Sequence, residues 1–206
     1  MTPATLSRPR STAARATASV GVCTAGFVLG GATSFAQGFL PSAVASFANS
    51  SSGWTLVTVL LVAAARVGPA LSAVLGAASF VLLTVGYSAA SALRGLTYDP
   101  TLFAVVGLVV GPVVGLATAW LRTRDVRAAL GTAALAGIGL GEAAYGLTAV
   151  AASTSPVYWV LMGCAAVTLL VSTARRVRSR RDAVLAVVLT VVVAGAFLLA
   201  YQGLLN

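Results

Sequence analysis

Apolar and polar positions alternate in long blocks along this chain, with apolar runs at 16 to 38, 53 to 65, 69 to 93, 101 to 121, 128 to 151, 157 to 174 and 183 to 203. A helix needs ~20 predominantly apolar residues to cross the ~30 Å hydrocarbon core of a bilayer. Most of the runs reach or approach that length, so the pattern predicts an all-α, polytopic transmembrane helical bundle of about seven helices, or six if the second run does not cross. That second run is the exception, because its apolar part from Trp54 to Ala65 is about 12 residues, or ~18 Å of helix. It cannot cross alone.

The segment before it, Pro41 to Ala48 followed by Asn49-Ser-Ser-Ser-Gly53, has two readings. One is a discontinuous helix whose polar break dips into the outer leaflet, tolerated only where it is buried in protein or lines a cavity. The other is an outer loop leading into an ordinary helix lengthened by Ser and Gly. The remaining breaks are simple turns: Arg66-Val-Gly-Pro69, Arg94 to Pro100 and Ser153-Thr-Ser-Pro156.

Charge then orients the bundle. All 13 basic residues are Arg. With the N-terminus in the cytoplasm, Arg8, Arg10, Arg15, Arg66, Arg122, Arg124, Arg127, Arg175, Arg176, Arg178, Arg180 and Arg181 fall inside, and Arg94 alone falls outside. This is the positive-inside bias of short loops, and it predicts a basic cytoplasmic tail (1 to 15) followed by one transmembrane domain (16 to 206) in a bacterial cell (inner) membrane. Trp54, Tyr98, Tyr158, Trp159 and Tyr201 map to the expected outer ends and Trp120 to an inner end, as interfacial aromatics should. Arg8, Arg10 and Arg15 before an apolar stretch also imitate a secretory signal, but the run from Ala16 to Gly38 is about 23 residues, longer than a signal core of roughly 7 to 15. An uncleaved first helix is expected.

Composition narrows the function classes. A chain of 206 residues that is 59% apolar, 8% charged and of mean hydropathy +0.98 leaves little outside the membrane. The net charge of +9 is accounted for by loop arginines that face anionic lipid, so nucleic acid is not an expected partner. There is no His, and Asp99, Asp125, Glu142 and Asp182 are scattered, so neither a metal site, a cofactor nor a Ser-His dyad is expected. Cys23 and Cys164 lie inside apolar runs, which argues against a disulfide. No enzymatic activity is expected.

Two features remain as candidates. Gly107, Gly111 and Gly115 stand in register on the fourth span beside Pro112, a face for close helix packing within the bundle or against a second chain. Glu142 is the one acid inside a span, fifteen residues past Arg127 and so ~22 Å above the inner boundary. An ionisable group at that depth is costly unless paired or hydrated, and marks a functional site by default. Tyr145 follows it by one turn, Arg94 is the available counter-charge, Tyr87 lies at a similar depth, and Gln37, Asn49 and Trp54 bring polar groups to the same side. These seven residues make up an expected outward-facing polar pocket. A buried clamp of Arg94 on Glu142 is the structural alternative.

The stretch Gly31-Ala-Thr-Ser-Phe-Ala-Gln-Gly-Phe-Leu-Pro41, with Ala48-Asn-Ser and Trp54, resembles the N-terminal signature of a family of small uncharacterised multi-pass membrane proteins of actinobacteria. The resemblance implies class and no activity, so it carries over no functional residue. Two functions are therefore weighed: binding or transport of a small solute through the polar pocket, and a structural or assembly role in which the glycine faces and basic loops hold a partner helix, a homo-oligomer or anionic lipid.

Overall fold

The computed structural model describes the backbone of residues 11 to 205 and the side chains of 11 to 203, so Arg8 and Arg10 lie outside the described residues. Among the described residues there are seven α-helices: α1 (Thr12–Ala36), α2 (Ser51–Ala65), α3 (Pro69–Leu93), α4 (Thr101–Trp120), α5 (Val126–Thr148), α6 (Pro156–Arg176) and α7 (Arg180–Leu205). A short 3-10 helix, Ala45–Asn49, precedes α2. Their starts follow from side-chain caps. Ser11 accepts from the Ala14 amide, Asp125 from Arg127 and Ser155 from Val157, while Pro69 and Pro156 occupy first turns where no amide is needed. α1 begins at Thr12, ahead of the apolar run at 16, because Ser11 caps it there.

α3 packs between α1 and α4, α5 packs between α6 and α7, and α2 sits where the two triplets meet. Five helices (α1, α3, α4, α6 and α7) are long and apolar enough to cross a membrane. α2 has 15 residues and is too short, as its sequence indicates. α5 has 23 residues, but it is rich in Gly, Ala and Thr and is buried along most of its length, contacting α2, α4, α6 and α7.

Polarity in this bundle is inverted relative to a water-soluble protein. Ser72, Ser79, Thr84, Thr132 and Thr190 are fully buried, whereas Leu60, Val109, Val191 and Leu199 are 60 to 74% exposed. Hydroxyls pair between helices: Ser34 with Ser91 at 2.9 Å, Thr58 with Ser79 at 3.2 Å and Thr132 with Thr173 at 2.8 Å. Small and hydroxylated residues inside with large aliphatic ones outside is the arrangement of helices that pack in lipid. The chain is a membrane protein.

Close packing depends on glycine. A Cβ on Gly111 would stand 2.6 Å from the Ala77 Cα, one on Gly107 2.9 Å from the Phe80 Cβ, and one on Gly115 would overlap the Ser72 carbonyl. The α4 glycine face is thus covered by α3 of the same chain. Gly137 and Gly141 meet α7, Gly139 and Gly146 meet α6, and Gly131 meets α4, which makes α5 a hub around which helices approach closely.

The interhelical loops rich in Arg lie together at one end. There Arg122 donates to the Val67 carbonyl at 2.8 Å, Arg176 to the Leu121 carbonyl at 2.5 Å, and the Arg178 amide to the Arg124 carbonyl at 3.2 Å. Arginine here satisfies carbonyls at the ends of helices and in the links between them.

Candidate functional site

Helix α2 begins below the end of its neighbours that lies away from the Arg-rich loops. Glu142, which meets its first residues, is six positions before the end of α5, so α2 starts ~9 Å below that end. A helix N-terminus leaves four amides without intrahelical partners, and at that depth each must find one. The accounting closes. The Gly53 amide bonds the Ser50 hydroxyl at 2.9 Å and the Trp54 amide bonds the Ser50 carbonyl at 3.1 Å. The Ser51 amide donates to Glu142 Oε1 and the Ser52 amide to Oε2, each at 2.6 Å, and the Ser52 hydroxyl also donates to Oε2.

Glu142 is therefore a remote cap, 1% exposed, supplied by α5 to a helix some ninety residues earlier in sequence. The favourable interaction of a carboxylate with a helix N-terminus adds to the hydrogen bonds. Further hydroxyls close around it. Tyr158 on α6 lies 2.5 Å from the Ser50 hydroxyl and 3.0 Å from that of Ser52, and Tyr201 on α7 reaches the Ser51 side chain. Tyr145 meets Tyr201 edge-on at 4.9 Å between ring centroids, and Phe197 stacks on Tyr201 at 5.0 Å. Gly53 is needed here, since a Cβ would overlap the Phe47 carbonyl where the 3-10 helix folds back.

The seven residues expected to form one pocket are not brought together in one place. Glu142 and Tyr145 belong to the capped break. Arg94 lies instead beside α1, donating to the Ser34 carbonyl and, at 3.2 Å, to its hydroxyl, with its guanidinium 5.3 Å from the centre of the Phe35 ring. Its position just past the end of α3 faces it toward the last carbonyls of α1, which answer a cation as the α2 amides answer Glu142. Gln37 donates to the Tyr87 hydroxyl at 3.0 Å, and Tyr87 packs against Trp54 and Tyr98 with ring centroids at 5.8 and 4.8 Å. Trp54, whose indole N–H donates to the Ala48 carbonyl at 3.2 Å, joins this group to the break. Asn49 is exposed at the end of the 3-10 helix.

Outside the spans, burial pushes the Tyr98 hydroxyl up to about 12, with the nearby charges of Tyr87 and Asp99 adding to it. Bonds from the Thr101 side chain and amide hold Asp99 below the usual carboxylate range, and the Thr123 hydroxyl, followed by the Arg127 amide, does the same for Asp125.

Two cavities adjoin the break. One of about 250 Å³ lies between α2, α5 and α6 and is apolar apart from Ser52 and Thr55 of α2, with Ile138 and Gly139 of α5 and Met162 and Ala166 of α6 among its walls. The other, about 390 Å³, is an apolar groove between Leu40, Val44 and Phe47 and α6, and it shares Met162 and Ala165 with the first. Tyr158 lines the groove and so separates it from the carboxylate.

Ser50, Ser51, Ser52, Tyr158 and Tyr201 were not among the residues expected from sequence. A signal for the first three was present: a serine run ahead of an apolar segment marks a helix start. Nothing local marks the two tyrosines.

Residues 9–206 match the model of a protein family described as a family of unknown function (DUF6518), and the chain belongs to that family. No curated protein and no solved structure matches it. Membership accords with the resemblance to an uncharacterised family and assigns no activity.

Proposed function

We propose that this member of a family of unknown function is a small-solute binding or transport protein of the cell (inner) membrane, oriented with its N-terminus and basic loops in the cytoplasm, which moves its ligand without transforming it. One observation carries the reading: Glu142, among the described residues the one acid in the middle of a helix rather than in its first turn or in a loop, clamps the start of a helix too short to cross, beside a cavity of about 250 Å³. Irregular backbone at membrane depth is tolerated where it is buried or lines a cavity, and broken helices of this kind frame the binding sites of many transporters. The cavity falls just below the ~300 to 1,000 Å³ of pockets for drug-sized ligands, which suits a smaller molecule. Its walls favour a mostly apolar solute with one hydrogen-bonding group, directed at Ser52. Gln37, Tyr87, Trp54 and Arg94 would form the outer approach.

The alternative, an assembly protein that recruits a partner through its glycine stripe, loses its motivation because Gly107, Gly111 and Gly115 are already occupied by α3. Anionic lipid at the exposed Arg loops remains an expected partner under either reading.

The test is thermal stability of the purified protein in lipid nanodiscs across a panel of small metabolites. A stabilising class of compound, with the shift lost in Glu142→Gln or Ser52→Ala and kept in Gly195→Ala, supports the proposal. No shift across the panel, together with an unchanged host phenotype for Glu142→Gln, would sink it.

A further inference from the structure

We infer that Glu142 is a proton-operated latch: as a carboxylate it clamps the first turn of α2, and on taking up a proton it releases the break between the 3-10 helix and α2. The inference extends the reading of this break as the solute site by naming what regulates it, and only the question of what enters an opened break rests on that reading.

The geometry suits an ion. Oε1 receives the Ser51 amide, and Oε2 receives both the Ser52 amide and the Ser52 hydroxyl, so donors approach both oxygens. A backbone amide cannot accept a hydrogen bond. When a solvent proton adds to either oxygen, converting carboxylate to carboxylic acid, the new O–H points into a site built from donors. At Oε1 it opposes the Ser51 amide. At Oε2 it can be accommodated if the Ser52 hydroxyl turns from donor to acceptor, donating instead to Tyr158 3.0 Å away, which leaves the Ser52 amide on a neutral oxygen. Either way the bonds to the first turn of α2 lose their charge assistance and fall to about half their strength, and the attraction between the carboxylate and the helix N-terminus goes with it.

Among the described residues the surroundings hold no second charge that would compensate. The titratable groups facing Glu142 are Tyr158 of α6 and Tyr201 of α7, with Tyr145 one turn along its own helix. From α2 the facing groups are the uncharged Ser51 and Ser52, and α4 contributes no ionisable side chain along its length. Arg94 is engaged with Ser34 and Phe35. The hydroxyls of Ser50, Tyr158 and Ser52 form a continuous hydrogen-bonded chain that ends on the carboxylate, so a proton arriving at the break has a connected route to it.

Release can be read at Ala48, which is fully buried in the 3-10 helix and whose carbonyl holds the Trp54 indole. Ala48→Cys would be introduced with Cys23→Ala and Cys164→Ala, and maleimide labelling measured in nanodiscs without solute, over a range from about pH 9 to about pH 4.5. The reagent's own pH dependence is divided out with a reporter at exposed Asn49, Asn49→Cys. The latch predicts slow labelling of Cys at 48 at high pH and about tenfold or more acceleration as pH falls, since a lost charge-assisted bond is worth roughly a factor of ten or more. Glu142→Gln should label fast at every pH. Ser52→Ala keeps the carboxylate but removes one donor, so its midpoint should move to higher pH by about one unit. Labelling that does not change with pH in the otherwise native protein, or a Ser52→Ala midpoint that does not move, overturns the latch. A pH-dependent latch in a protein that shows no solute-induced stabilisation overturns the solute reading alone.

Discussion

Replacing Glu142 removes the partner of two buried amides, and the cost can be worked out bond by bond. In Glu142→Ala the Ser52 hydroxyl can turn to Tyr158, 3.0 Å away, but the Ser51 and Ser52 amides have no such alternative. Each orphaned buried amide costs ~1 to 3 kcal/mol, so the pair costs ~2 to 6 kcal/mol before any cavity is counted. In Glu142→Gln the side-chain oxygen can still accept from one amide while the NH₂ group faces the other, and the expected loss is ~1 to 3 kcal/mol. Against a typical total of ~5 to 15 kcal/mol these are large effects. The assay is reversible unfolding in mixed micelles titrated with SDS, followed by far-UV circular dichroism. The reasoning predicts native above Gln above Ala in stability. It is refuted if both variants fall within about 0.5 kcal/mol of the native protein, the size of an ordinary surface substitution, because the amides would then have to be satisfied by water.

Three further outcomes follow from other parts of the bundle. Gly115→Ala should destabilise the monomer by about 1 to 3 kcal/mol, since its Cβ would overlap the Ser72 carbonyl, whereas Gly195→Ala, with open space around it, should be neutral or stabilising in the same SDS titration. Arg94→Ala combined with Glu142→Gln should be additive to within about 0.5 kcal/mol, because the two residues share no partner; a coupling above about 1 kcal/mol would mean that they interact. Tyr98 should titrate near 12 by ultraviolet absorbance, a step missing in Tyr98→Phe. Because its folded value lies above the ordinary 10.0, its contribution to stability should be intact below pH 10 and fall away as pH rises toward 12.

The helices were legible in the sequence because a long apolar run bounded by Arg, Pro or Gly has few other solutions, and α3 and α4 lie within a residue of their expected spans. The start of α2 was less so: residues 39 to 53 had two readings, and the buried cap now makes the segment a 3-10 helix and an α-helix joined at a polar break. The glycine stripe on α4 was legible as a packing face, but its occupant was not, since spacing cannot distinguish α3 from another chain. Glu142 stood out as the lone acid in a span. Its partner did not, because a reading based on charge looks for a cation and finds Arg94, while the groups that bind Glu142 are formally neutral amides some ninety residues away. Arg94 likewise finds a carbonyl.

Hydrogen–deuterium exchange of the peptide that carries residues 51 to 53, in nanodiscs at neutral pH, tests the capped break most directly. The account predicts that the Ser51 and Ser52 amides are strongly protected in the native protein and in Arg94→Ala, and that Glu142→Gln loses much of that protection while peptides from the middle of α3 and α5 keep theirs. Equal protection of the two amides with and without the Glu142 carboxylate would contradict it.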